Sequence, residues 1–144
     1  MREILFRGKD EDTGEWRAGF IIKGVDDCSK EYNPTIIAAG AYGIGCGWCL
    51  SDKIDSYYVV PETVGQYTGL TDKNGKCIFE GDIVTGLFLF ELSVNAVVTF
   101  QDGAFGLEWY RGNVKTFNAF TSVCNVKYEV IGNIHDNPEL LKGV

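Results

Sequence analysis

Gln66-Tyr-Thr-Gly-Leu-Thr-Asp-Lys-Asn-Gly-Lys-Cys-Ile-Phe-Glu-Gly-Asp-Ile-Val84 is the stretch around which the chain is organised. Two apolar runs, residues 67–70 and 77–79, flank a polar segment ending in Asn74-Gly75. Asn and Gly tolerate the positive φ that tight hairpin turns need. Two registers stand open. A two-residue turn pairs Lys73 with Lys76, and a four-residue loop pairs Thr71 with Lys76. Glu80-Gly81-Asp82 then breaks the second run and releases Ile83-Val84 into a new strand. The stretch carries structure and no catalytic signature.

Working outward towards the C terminus, residues 94–101 alternate and place Val94, Ala96, Val98 and Phe100 on one face. Asp102-Gly103 is a two-residue turn signal. Folding about it pairs Phe100 with Phe105, Val98 with Leu107 and Ala96 with Trp109, all on the apolar face. Residues 111–115 read as a polar loop and 116–120 as a weak strand or connection. Residues 128–131 are a last strand. Asn137-Pro138-Glu139 then gives a cap, a proline and an early acid, which suits one short C-terminal helix.

Towards the N terminus, Pro61 closes a β-rich run, residues 57–60, and marks a boundary between modules 1–60 and 61–144, unless the two are one continuous domain. Residues 4–6 read as a first strand, 9–15 as a charged turn, and 16–23 as the returning strand. Pairing restarts after Pro34 at residues 35–39. Residues 40–49 are glycine-dense and irregular. The fold class is therefore mainly β and antiparallel.

Composition narrows the function. Aromatic residues at 13% and 18 glycines favour sheets and turns over long helices. The net charge of −7 disfavours nucleic acid as a partner, because an acidic surface repels phosphates. No apolar stretch is long enough to span a bilayer as a helix, and no secretory signal opens the chain. Five cysteines, an odd count, suit a reducing cytoplasm rather than a disulfide framework.

Three blocks carry a resemblance: residues 66–84, the late Glu129-Val-Ile-Gly-Asn-Ile134, and the opening Met1-Arg-Glu-Ile-Leu-Phe-Arg7. The chain resembles the YopX protein family of bacteriophages and prophages over its whole length. The resemblance implies a small β protein of the bacterial host cytoplasm with an SH3-like barrel in its C-terminal part. It implies no biochemical activity, cofactor or functional residue.

Each candidate for chemistry has a plainer reading. Cys46-Gly-Trp-Cys49 has the spacing of a zinc clamp or a redox pair. Structural zinc takes about four ligands, and no second pair exists; Cys28, Cys77, Cys124 and His135 are scattered. The thioredoxin context of a strand before and a helix after is missing. Cys46, Cys49 and His135 are thus the residues a metal would use, but none is expected. Glu80 and Asp82 read as turn formers rather than an acid–base pair. Gly43-Ile-Gly-Cys-Gly47 lacks the Lys-Ser/Thr ending of a phosphate loop. Trp16, Trp48 and Tyr110 are the aromatics left for an interaction surface, since Trp109 falls on the core face.

Three functions fit: a non-enzymatic module that binds another protein or itself, a single-strand-binding barrel, and an enzyme with a dispersed site. The first accounts for an acidic β chain best. Metal analysis of protein purified without chelator should find no stoichiometric zinc, and a one-to-one signal would overturn the reading of Cys46 and Cys49.

Overall fold

The structure is a computed structural model that describes residues 4–23, 35–39, 55–89, 92–120 and 128–141. Among these the chain is mainly β, in two antiparallel sheets, and its helical segments are two 3-10 turns. No helix among the described residues is long and apolar enough to cross a membrane. The chain divides into two compact units, Met1–Gln66 and Tyr67–Val144.

In the first unit β1 (Phe6–Lys9) pairs with β2 (Trp16–Lys23), with Lys9 opposite Trp16. β2 pairs with β3 (Thr35–Ala39), and β3 with β4 (Asp55–Tyr58). Beyond β4 the chain returns to β1. Val59 bridges Asp10, the Glu11 amide donates to Tyr58 O (3.0 Å), and the Val60 amide donates to Lys9 O (2.9 Å). Pro61–Thr63 then makes a 3-10 turn, where the proline sits without cost because its missing N–H has no helical partner. The Thr63 hydroxyl accepts from the Lys9 amide (2.8 Å) and donates to Val60 O (2.7 Å). Gly65 and Gln66, which open β5 (Gly65–Thr71), pair with Arg7 and Phe6.

In the second unit β5 pairs with β6 (Cys77–Phe79). The other strands are β7 (Asp82–Leu89), β8 (Leu92–Gln101), β9 (Ala104–Arg111), β10 (Val114–Ala119) and β11 (Glu129–Asn133). They form a five-stranded sheet in the order β10-β9-β8-β7-β11. The sequence pattern explains its core. Val94, Ala96 and Val98 alternate along β8, Leu107 and Trp109 along β9, and all pack with Ile78, Val84 and Tyr128. Burying each large apolar side chain contributes about 1.5–3 kcal/mol, against about 0.5–1.5 kcal/mol for a typical hydrogen bond. Burial therefore sets the stability, and the turns set the register.

The β8–β9 hairpin has the expected pairs Phe100–Phe105 and Val98–Leu107. Asp102 at φ 50° and Gly103 at φ 79° form its turn. Phe100 departs from the expectation of burial. It is 52% exposed, because the hairpin tip runs past the core, and it stacks edge-on against Phe105 at 4.9 Å.

The hairpin at Asn74-Gly75 takes neither open register. Thr71 pairs with Cys77, and the Asp72 amide donates to Lys76 O (2.8 Å), closing a three-residue loop. The Gly75 amide donates to Asp72 O (3.0 Å), and Gly75 has φ 82°. This is a β-turn followed by a left-handed glycine. The Asp72 side chain decides it, accepting from the amides of Asn74 (2.8 Å) and Lys76 (2.9 Å).

Two further expectations are met only in their coarser part. Among the described residues the second unit is antiparallel β, but no ladder joins β10 to β11 and no closed barrel is found. The C-terminal helix is one 3-10 turn, Pro138–Leu141, tied to β8 by Asn95 Nδ2 donating to Leu140 O (2.9 Å). Residues 111–119 also differ: only Gly112 and Asn113 form the turn, and β10 follows as a six-residue strand.

Asp102→Pro should lower stability by about 2–3 kcal/mol in urea melts, because proline is locked near φ −65° and Asp102 sits at positive φ. Asp102→Asn should stay within about 0.5 kcal/mol.

Candidate interaction surface

The sequence candidates scatter. Cys46, Trp48 and Cys49 lie outside the described residues, as do Cys28 and Cys124. Cys77 is exposed on β6. His135 is exposed in the turn after β11, where its amide donates to Asn133 Oδ1 (3.0 Å). Among the described residues no group of three or more His, Cys, Asp or Glu is placed to hold a metal.

The buried carboxylates serve turns. Asp82 is 1% exposed and accepts from the Phe79 amide (2.8 Å), which fastens the Glu80-Gly81 corner between β6 and β7. Gly81 has φ 87°, donates its amide to Val98 O (2.8 Å) and accepts at its carbonyl from Ile134 (2.9 Å). Asp72 accepts a third amide, from Val130 of β11 (3.1 Å), beside a Lys73 amide bond to Tyr128 O (2.9 Å). Burial raises the Asp72 carboxyl's pKa, but the amides of Lys76, Val130 and Asn74 and the Lys76 charge outweigh it, leaving the net shift downward.

Asp10 is built the same way in the first unit. It accepts from the amides of Asp12 (2.9 Å) and Thr13 (3.2 Å) and pairs with Arg17 Nε (3.1 Å). The Asp12 amide lowers its pKa most; burial opposes, and Thr13 and Arg17 add to the lowering.

Aromatic side chains remain. In the first unit the Arg7 guanidinium lies over the half-buried Trp16 ring at 4.8 Å, and the Arg17 guanidinium lies over Tyr57 at 4.1 Å. Trp16 is therefore engaged from within the chain. Phe20 and Tyr58 are exposed on β2 and β4. In the second unit Tyr110 is 50% exposed and Val114 is 64% exposed. Both flank the β9–β10 turn, Tyr110 opposite Lys115 and Val114 opposite Arg111. Lys115 Nζ pairs with Glu108 Oε2 (2.9 Å), which also accepts from Gln101 Nε2 (2.6 Å). That Glu108 contact raises the Lys115 pKa, against a smaller opposing effect of desolvation.

Sequence reasoning picked Tyr110 but missed Val114, which it placed inside a polar loop. The signal was available, since β-branched Val114 with Thr116 and Phe117 suits a strand.

The sequence matches the family model described as YopX protein over residues 5–142. No curated protein matches it. Two solved structures are similar along its length. Protein EF1440 from Enterococcus faecalis is 25% identical, with a TM-score of 0.53 over 98% of this chain and 99% of that one. Protein yopX from Bacillus subtilis is 18% identical, with a TM-score of 0.54 over 100% of this chain and 99% of that one, a likeness of fold.

The depressed Asp72 and Asp10 carboxyls give a sign to acid stability. Their contribution is complete above the unfolded carboxyl pKa, about 3.9, and is lost as pH falls through their lower folded values. Asp72→Ala should cost about 2–4 kcal/mol at neutral pH by stranding three amides, and should flatten the acid limb of urea midpoint against pH. An unchanged acid limb in the variant would count against the assignment.

Proposed function

Since the chain belongs to the YopX protein family, we propose that it is a non-enzymatic phage or prophage accessory protein that binds another protein or a second copy of itself in the bacterial host cytoplasm. The observation that carries this reading is the exposure of Tyr110 and Val114 at the end of a sheet, Tyr110 on one face beside Lys115 and Val114 on the other beside Arg111. Exposed apolar side chains beside a strand edge suit pairing with another chain. The buried Asp10, Asp72 and Asp82 support the non-enzymatic part, since each carboxylate is engaged by turn amides.

We also read the second unit as a relative of SH3-like barrels. The meander β7-β8-β9-β10, with β11 returning antiparallel beside β7, supports this. So do the bulges on either side of Val84, which curl a sheet.

Size exclusion with light scattering, followed by pull-down from host lysate, tests the reading. A dimer or a defined protein partner that Tyr110→Ala plus Val114→Ser weakens, with the fold intact, is the expected result. A strict monomer without partner overturns it. So does tight single-strand binding that falls steeply with salt, the mark of a nucleic-acid protein.

A further inference from the structure

We propose that Asn74 is a site of spontaneous deamidation, and that the turn built on Asp72 holds its rate down. Asn74 is the one asparagine in the chain that glycine follows; the others precede Pro, Ala, Val or Ile. A following side chain shields the main-chain nitrogen, and glycine has none. At Gly75 the space is open as well, with nothing within 4 Å of where a Cβ would sit. Asn74 itself is exposed.

In the reaction the Gly75 nitrogen attacks Asn74 Cγ. A new C–N bond forms, the Cγ–Nδ2 bond breaks, and ammonia leaves with the proton given up by Gly75. The product is a five-membered succinimide, which one water opens. Opening at Cγ leaves aspartate. Opening at the main-chain carbonyl leaves isoaspartate, with the backbone longer by a methylene. Either product adds one negative charge at neutral pH. No electron changes hands, and water is the only co-reactant.

The folded turn opposes the first step. Gly75 N donates to Asp72 O (3.0 Å), and Asn74 N donates to Asp72 Oδ1 (2.8 Å). Bringing Gly75 N onto Cγ requires rotation about the Asn74 Cα–C bond, which breaks the Gly75 bond to Asp72 O, while the Asn74 bond to Asp72 Oδ1 holds the loop in the conformation that makes it. Attack therefore proceeds from a locally opened loop, and Asp72 sets how often the loop opens. An isoaspartate, once formed, lengthens a three-residue loop whose ends the Asp72–Lys76 bond fixes.

The test is incubation of the full chain in mildly alkaline buffer, read by ion-exchange chromatography and by peptide mapping with isoaspartyl methyltransferase labelling. An acidic species should accumulate, map to residue 74, and be absent from Asn74→Gln. Asp72→Ala should raise its rate several-fold; should that variant fail to fold, wild type in urea serves instead, with the same expected rise. Isomerisation at Asp102-Gly103 leaves the charge unchanged and cannot mimic the signal. An acidic species that grows as fast in Asn74→Gln, or equal rates in native buffer and urea, overturns the proposal.

Discussion

The second unit depends on one carboxylate. Asp72 lies at the end of β5, and its two oxygens do different work. Oδ1 shapes the loop beneath it through the amides of Asn74 and Lys76. Oδ2 reaches the Val130 amide on β11. A neutral side chain of the same size cannot repeat this, because an asparagine would turn a donor towards a donor. The anion is held buried because amide dipoles offset its lost hydration, the condition under which an isolated buried charge is tolerated. Local turn geometry and a long-range strand contact are thereby fixed by a single group.

The first unit uses the same device with different surroundings. Asp10 follows β1 as Asp72 follows β5, and each carboxylate accepts the amide two residues on. Asp10 adds Arg17 as a counter-ion, and Arg17 in turn covers Tyr57. Its main chain also bridges Val59, so the carboxylate holds a turn at the place where the strands return to β1. The repetition is chemical rather than a recognisable sequence repeat, since only an aspartate and a glycine a few positions later are shared.

This explains what could be read in advance. The β8–β9 hairpin was legible because turn chemistry and alternation agree, and both act over a few neighbours. β2 and β3 were legible from apolar runs bounded by breakers. The Asn74-Gly75 register was not, because a side chain, rather than the turn dipeptide, selects the loop length. β5 also carries a bulge at Gly69, with the Thr68 hydroxyl donating to Ile78 O (2.8 Å), which no alternation pattern announces. Phe100 reads as core by periodicity, but where a strand outruns its sheet partner is a tertiary fact. As for the candidate surface, Tyr110 was visible by elimination from the core face. Val114 was hidden by glycine, asparagine and arginine just before it. Cys46, Trp48 and Cys49 fall outside what the structure describes.

The bond from Asp72 to Val130 joins groups 58 positions apart. A ribosome delivers the carboxylate long before the amide that completes it. Throughout that interval Oδ2 has only water to accept from, whereas the amides of Asn74 and Lys76 follow Asp72 within four residues. The corner thus has its local partners at hand from the start, and β11 brings the remaining one.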